Sequence, residues 1–158
     1  MNNLIIKKKQ KKIQTIMSSI KTEIIEDSFN NEYVLIKDDV PIEIAENITD
    51  KTQFEGSINH IHLLDNIKEK DLSALERIAV SSIETLNKYL KTIYPDKHFY
   101  IYVSLTISDS MIIRFHQEWY YEVPFYEETS VDDNTILIIQ KSQDSCFYIG
   151  RGSNIAKK

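Results

Sequence analysis

The chain has 158 residues, of which 42% are hydrophobic and 27% are charged, and its formal net charge is −5. This length and apolar content are typical of one globular domain, and they exclude a chain that is disordered throughout. No run of about 18 apolar residues is present, so we expect neither a membrane-spanning helix nor a membrane partner.

The charges are distributed unevenly along the chain. Residues 1–22 contain six lysines and no acidic residue, so we predict a basic N-terminal extension or helix there. A tail that binds nucleic acid or a membrane surface is the alternative for this segment. The rest of the chain has 13 basic against 24 acidic residues, a net charge of −11. Because phosphate contacts need clustered lysines and arginines, this acidic body favours a basic protein partner and argues against nucleic acid.

The cysteine content and the first residues bear on location and cofactors. Cys146 is the single cysteine, so the chain cannot form an internal disulfide. Residues 1–12 place their lysines after a short apolar stretch, which is the reverse of a secretory signal peptide, and we expect a cytoplasmic location. Gly150–Ser153 lacks the lysine of a phosphate-binding loop, and we expect no cofactor.

The first predicted elements of the main domain, residues 23–150, are short strands. Tyr33–Ile36 is predicted to be a strand closed by the turn-forming cluster Lys37–Asp39, and Ile42–Ile44 is a short alternating segment. A further strand is predicted within Ser57–Leu64.

The clearest predicted helix spans Asp71–Ile93. Its apolar residues recur at spacings of three and four and form a single stripe. They are Leu72, Leu75, Ile78, Ala79, Ile83, Leu86, Leu90 and Ile93. The helix is predicted to end at Tyr94, because a residue that precedes a proline disfavours helical geometry. A single stripe can cover one sheet, so we expect this helix to pack on the apolar face of a β-sheet.

The segment Phe99–Trp119 is predicted to be an antiparallel β-hairpin with one apolar and one polar face, since apolar and polar residues alternate along it. A two-residue loop would place Arg114 opposite Val103. A three-residue loop, Ser108–Ser110, instead pairs apolar residues with each other, with Val103 opposite Phe115, and we predict this loop. The polar face then carries Tyr100, Tyr102, Arg114 and His116.

Two more strands are predicted at Thr135–Gln140 and Cys146–Ile149, and residues 151–158 are predicted to be a C-terminal tail. Strands on both sides of one long helix favour an α+β fold over a parallel α/β fold. We therefore predict a mainly antiparallel sheet of about four to six strands, with the helix at residues 71–93 packed on one face.

The segment Glu118–Asp133 combines acidic and aromatic residues with no lysine or arginine. Aromatic residues anchor protein interfaces, and acidic residues around them attract a basic partner. We predict that the partner-binding residues are Glu118, Trp119, Tyr120, Tyr121, Glu122, Tyr126, Glu127 and Glu128. The alternative is that Trp119, Phe125 and some of the tyrosines cover the core while the acids face solvent.

The histidines suggest two sites that would support chemistry. His60 and His62 would lie on the same face of a strand, yet a zinc site generally needs three or four protein ligands, so we assign no metal site. Arg114, His116 and Glu118 would share the polar face of the hairpin, where they would serve acid–base chemistry or form an ion-pair ladder. We assign no catalytic residue.

The sequence Ile-Arg-Phe-His-Gln-Glu-Trp at Ile113–Trp119, together with Pro124, resembles small acidic bacterial immunity proteins, which neutralise toxins made by neighbouring cells. This resemblance implies a role in binding and gives no residue a function. We therefore expect a non-catalytic cytosolic protein that binds another protein, with a basic toxin as the candidate partner. The alternatives are a small hydrolase or metal-dependent enzyme that uses the histidine sites, and a self-associating protein that pairs through an exposed edge at Tyr33–Ile36.

Overall fold

The computed structural model of the chain describes residues 3–41, 48–126 and 134–141, together with the backbone of residues 146–149 and 155–157. The helices in this part of the chain are α1 (Asn3–Ser18), α2 (Lys51–Ile58) and α3 (Leu72–Ile93). The strands are β1 (Thr22–Glu26), β2 (Glu32–Ile36), β3 (His60–Asp65), β4 (Phe99–Thr106), β5 (Ser110–Gln117), β6 (Thr135–Lys141), β7 (Cys146–Ile149) and β8 (Ile155–Lys157).

The strands form two antiparallel sheets. One has six strands in the order β3-β5-β4-β6-β7-β8, and the other consists of β1 and β2. Helix α3 packs against one face of the larger sheet through its apolar stripe, and Leu75, Ile83 and Leu90 are fully buried there. The predicted α+β fold, with one long helix on an antiparallel sheet, is therefore confirmed.

The strand predicted at Ser57–Leu64 is correct from His60 onwards and wrong for Ser57 and Ile58. Strand β3 begins at His60, because residues 51–58 form helix α2. The side chain of Asp50 caps this helix by accepting a hydrogen bond from the N–H of Gln53 at 2.9 Å. The short segment predicted at Ile42–Ile44 lies outside the described residues.

Helix α1 lies in the segment predicted to be a basic extension or helix. Its inner face contributes Ile13 and Met17 to the same buried cluster that α3 and the sheet share. The ammonium of Lys9 pairs with the buried carboxylate of Asp71 at 3.1 Å, which fixes the first half of α1 beside the start of α3. Helix α1 is thus packed on the domain.

In the segment predicted to be a C-terminal tail, the backbone of Ile155–Lys157 pairs with β7.

The register of the hairpin differs from the prediction by two residues. Val103 pairs with Ile113, where we predicted Phe115. The loop still has three residues, but it is Ile107–Asp109, with Ser108 at a φ of 64°. A left-handed residue is what a three-residue hairpin loop requires. Because strand side chains alternate, a shift of two residues leaves every side chain on its predicted face, and both registers pair apolar residues.

Candidate functional site

The hairpin face predicted to be polar lies opposite α3, and it is covered. Tyr102 is fully buried there, together with Leu137 and Ile139 of β6, and Phe125 and Tyr126 pack on top of them. The four residues predicted for this face, Tyr100, Tyr102, Arg114 and His116, do lie together on β4 and β5. The segment after Trp119 folds back over them, so this face is a second small core.

His116 is held as a neutral imidazole inside this second core. Its Nδ1 lies 2.7 Å from the carbonyl of Gln117, which only accepts, so Nδ1 carries the proton. Its Nε2 accepts from the N–H of Phe125 at 3.2 Å and from the hydroxyl of Tyr102 at 2.9 Å. Nε2 therefore holds the Phe125 segment on the sheet, whereas Nδ1 is bonded to the main chain of β5 itself.

Arg114 also contacts the Phe125 segment. Its guanidinium donates to the carbonyl of Gly56 and lies 4.4 Å from the centroid of the Phe125 ring. A β-carbon on residue 56 would collide with that ring, so glycine is required for this close approach. Glu118, which we predicted beside Arg114 and His116, lies beyond the end of β5 with an exposed side chain.

Helix α2 carries a buried acidic residue that sequence reasoning missed. Glu55 is fully buried, and its carboxylate accepts four hydrogen bonds. Oε1 accepts from the N–H of Val34 at 3.0 Å and from the side-chain amide of Gln117 at 2.6 Å. Oε2 accepts from the N–H of Gln117 at 2.6 Å and from the indole of Trp119 at 3.1 Å. All four lone pairs of the carboxylate have donors, and Glu55 joins β2 and α2 to the end of β5.

Asn59 lies one helical turn after Glu55 and completes the contact with β2. Its side-chain oxygen accepts from the N–H of Ile36 at 2.9 Å, and its side-chain nitrogen donates to the carbonyl of Val34 at 2.7 Å. Glu55 and Asn59 thus occupy the edge of β2 that faces away from β1. The self-association expected from an exposed edge at Tyr33–Ile36 is therefore not supported. We call Glu55, Asn59, Gln117 and Trp119 the Glu55 network.

Burial shifts the pKa values of Glu55 and His116 in opposite directions. It raises the pKa of Glu55 from 4.5 to about 7, against the opposing effect of the hydrogen bonds from Gln117, Val34 and Trp119. It lowers the pKa of His116 from 6.5 to about 4, although the hydrogen bond to Gln117 acts in the other direction. The contribution of Glu55 to stability is therefore complete below pH 4.5 and is lost as the pH rises to 7. That of His116 is complete above pH 6.5 and is lost as the pH falls to 4.

Trp119 is an anchor of the loop that follows β5. Besides donating its indole N–H to Glu55, it packs its ring against Tyr33, with 5.4 Å between the ring centroids. The ammonium of Lys51 lies 5.5 Å from the indole centroid. The half-buried Trp119 is therefore held by Tyr33 of β2 and by Lys51 and Glu55 of α2.

Glu122 is a second anchor of this loop. Its carboxylate accepts from the N–H of Thr52 at 2.7 Å, in the first turn of α2, and lies 3.5 Å from the ammonium of Lys51. Burial alone would raise the pKa of Glu122, but the hydrogen bonds from Thr52 and the N–H of Lys51 outweigh it, so the pKa is lowered. An ionised carboxylate at the first turn of a helix also interacts favourably with the helix dipole.

Between and beside these anchors the loop exposes three large side chains. Tyr120 is 82% exposed, Tyr121 is 91% exposed and Val123 is 59% exposed. The two tyrosine rings contact each other, with 4.0 Å between their centroids. Tyr121 has a φ of 63°, an uncommon conformation for a residue with a bulky side chain. We call Tyr120, Tyr121 and Val123 the tyrosine tip.

The residues predicted to bind a partner therefore fall into separate groups. Tyr120, Tyr121 and Glu118 are exposed. Trp119 and Glu122 anchor the loop, and Tyr126 packs on the second core, with its ring centroid 5.2 Å from that of Tyr102. Glu127 and Glu128 lie outside the described residues.

Two further histidines, His60 and His62, lie together on β3. The rings of His60 and His62 have centroids 5.9 Å apart, and Nδ1 of His60 lies 2.9 Å from the carbonyl of Ser57. Within residues 3–41, 48–126 and 134–141, no group of three or more histidine, cysteine or acidic side chains could hold a metal ion. The pair therefore lacks further protein ligands in this part of the chain.

Among the residues that the structure describes, no helix is both long and apolar enough to cross a bilayer. Comparison with protein-family models, with curated proteins and with solved structures gave no match. The function has to be inferred from the geometry of the site itself.

Proposed function

We propose that the protein binds another protein through the tyrosine tip. The observation that carries this proposal is the exposure of two adjoining tyrosines, 82% and 91%, on a loop that is anchored around them. Tyrosine is enriched among the residues that dominate binding energy at protein interfaces. The anchors supplied by Trp119 and Glu122 explain the position of the loop. Among residues 3–41, 48–126 and 134–141, the ring contact recorded for Tyr120 and Tyr121 is the one that they make with each other.

The anchors also support binding through their effect on entropy. Ordering a flexible side chain or loop at an interface costs about 0.5–1.5 kcal/mol for each side chain immobilised. Trp119 is fixed by Glu55 and Tyr33, and Glu122 is fixed by the first turn of α2. A loop that is ordered before the partner arrives avoids much of this cost, which favours a binding surface over a mobile connection.

The charge around the tip favours a basic partner. The segment Glu118–Asp133 contains no lysine or arginine, and Glu118 is exposed beside the tip. The nearby Lys51 is paired with Glu122 at 3.5 Å. A basic surface would therefore approach an acidic region without meeting an unpaired lysine there. Together with the resemblance noted for Ile113–Trp119, this supports an immunity-type protein that acts in the cytoplasm against a basic toxin.

The test compares the tip with an exposed aromatic residue elsewhere. Three proteins are immobilised in equal amounts and exposed to lysate from the source cells and from neighbouring cells. They are the wild type, the tip variant Tyr120→Ser/Tyr121→Ser and the control Phe29→Ser. Phe29 is 66% exposed in the turn between β1 and β2, so its replacement controls for lost surface apolarity. We expect a protein that the wild type and Phe29→Ser retain and the tip variant loses. Equal retention by all three, with unchanged circular dichroism spectra, would contradict the proposal.

The immunity-type role has its own test, which is co-expression with a candidate toxin encoded by an adjacent gene. The wild type is expected to restore growth, and the tip variant is expected to fail at the same protein level. The enzyme alternative is not favoured by a specific observation, because the hydrogen bonds of His116 are all directed to groups that hold the fold.

A further inference from the structure

The outer face of α1 combines exposed aliphatic residues with lysines. Leu4 is 59% exposed and Ile5 is 48% exposed, although both are large aliphatic residues. The same helix carries four exposed lysines. These are Lys7, Lys8, Lys11 and Lys12. Helix α1 contains no acidic residue that would neutralise them.

Helix geometry places these residues on one side of α1. Leu4 and the fully buried Ile13 are nine residues apart, about two and a half turns, so their side chains lie on opposite sides of the helix. Lys8 and Lys11 follow Leu4 by one and two turns and therefore flank it. The inner face packs on α3, and Lys9 at the border of this face forms an ion pair with Asp71. The outer face is thus a separate surface with its own composition.

We propose that this outer face docks the protein on the surface of an anionic phospholipid bilayer. A helix that lies in the membrane interface combines aliphatic residues that enter the headgroup region with lysines that meet anionic lipids. Nucleic acid would also attract the lysines, but phosphate contacts would leave Leu4 and Ile5 without a role. This inference rests on α1 alone and does not depend on the function proposed for the tyrosine tip.

The position of α1 makes such docking compatible with a free tyrosine tip. The ion pair between Lys9 and Asp71 lies at the start of α3. The tip follows Glu118, whose N–H donates to the carbonyl of His98, just beyond the end of α3. The two surfaces therefore lie at opposite ends of a helix that is about 33 Å long. The net charge of −11 on residues 23–158 would also turn the rest of the molecule away from an anionic surface.

The test is co-sedimentation of the full chain with vesicles of phosphatidylcholine, alone or mixed with phosphatidylglycerol. The first variant is Lys8→Gln/Lys12→Gln, and the second is Leu4→Ser/Ile5→Ser. Matched controls come from the last turns of α3, where exposed residues of the same types occur. They are Lys88→Gln/Lys91→Gln and Ile93→Ser.

We expect the wild type to bind vesicles that contain phosphatidylglycerol, more weakly at high salt, and not vesicles of phosphatidylcholine alone. Removing two lysines is expected to weaken partitioning about thirtyfold, since each lysine near the surface contributes about fivefold. The Leu4→Ser/Ile5→Ser variant is also expected to bind more weakly, whereas the α3 controls bind like the wild type. Equal binding by all variants, or no binding by the wild type, would overturn the proposal. Binding of duplex DNA without vesicle binding would overturn it in favour of nucleic acid.

Discussion

Replacement of Asn59 by alanine tests how α2 holds the small sheet. The amide of Asn59 is fully buried and satisfies two main-chain groups of β2, the N–H of Ile36 and the carbonyl of Val34. The substitution Asn59→Ala removes both partners and leaves a cavity too enclosed for the β2 groups to regain bulk solvent. Each buried polar group left without a partner costs about 1–3 kcal/mol, so the expected loss of stability is about 2–6 kcal/mol.

The measurement is urea denaturation followed by tryptophan fluorescence. Trp119 is the only tryptophan of the chain, and its indole N–H is bonded to Glu55, which lies one turn before Asn59. Its emission therefore reports on the site that the substitution disturbs. The matched control is Ser57→Ala, an exposed position at the end of α2 two residues before Asn59, which is expected to change the free energy of unfolding by less than about 0.5 kcal/mol.

A second substitution at the same position separates hydrogen bonding from cavity formation. In Asn59→Asp the carboxylate still accepts from Ile36, but when ionised it cannot donate to the carbonyl of Val34. We expect this variant to be strongly destabilised at pH 7 and partly restored near pH 4, where a protonated carboxyl regains the donor. The reasoning would be refuted if Asn59→Ala matched Ser57→Ala, or if Asn59→Asp showed the pH dependence of the wild type.

The remaining predictions concern pH, helix α1 and the loop anchor. The free energy of unfolding of the wild type is expected to change little between pH 7 and pH 5, because the titrations of Glu55 and His116 oppose each other. In Glu55→Gln only His116 titrates, so this variant is expected to lose about 2 kcal/mol of stability on acidification, as measured by denaturation at both pH values. An equal change in unfolding free energy for both proteins would contradict this. Ile13→Ala is expected to lower the free energy of unfolding by about 2–5 kcal/mol, and Leu4→Ala by less than about 0.5 kcal/mol. Similar melting temperatures for these two variants would show that α1 is not packed on the domain. Glu122→Ala is expected to accelerate chymotrypsin cleavage at the tyrosine tip severalfold under native conditions, and an unchanged rate would remove Glu122 as an anchor.

The elements with strong periodicity could be predicted from sequence. Helix α3 has an apolar residue on every turn, β4 alternates along its length and β5 alternates over Ile113–His116, so their type and faces follow from local patterns. The hairpin register could not be decided in this way. Two registers that differ by two residues both place apolar side chains opposite one another, and the observed register has the left-handed Ser108 at the centre of its three-residue loop.

The Glu55 network could not be predicted, because its partners come from distant parts of the chain. Glu55 and Gln117 are 62 residues apart, and an isolated glutamate in a short helix is ordinarily exposed. The only local signal was the spacing of four between Glu55 and Asn59, which places both on one helix face. The strand predicted at Ser57–Leu64 includes Asn59 and therefore obscures this helical spacing. The covering of Tyr102 by Phe125 and Tyr126 corresponds to the alternative stated for Glu118–Asp133, in which Trp119, Phe125 and some of the tyrosines cover the core.

The central claim is that the tyrosine tip binds a protein partner, and the affinity of the tip variant tests it most directly. The partner retained by the wild type is purified, and its dissociation constant is measured by isothermal titration calorimetry with wild type, Tyr120→Ser/Tyr121→Ser and Phe29→Ser. Two interface tyrosines at about 2 kcal/mol each predict a loss of several hundredfold for the tip variant, with Phe29→Ser unchanged. Equal affinities for all three proteins would contradict the account.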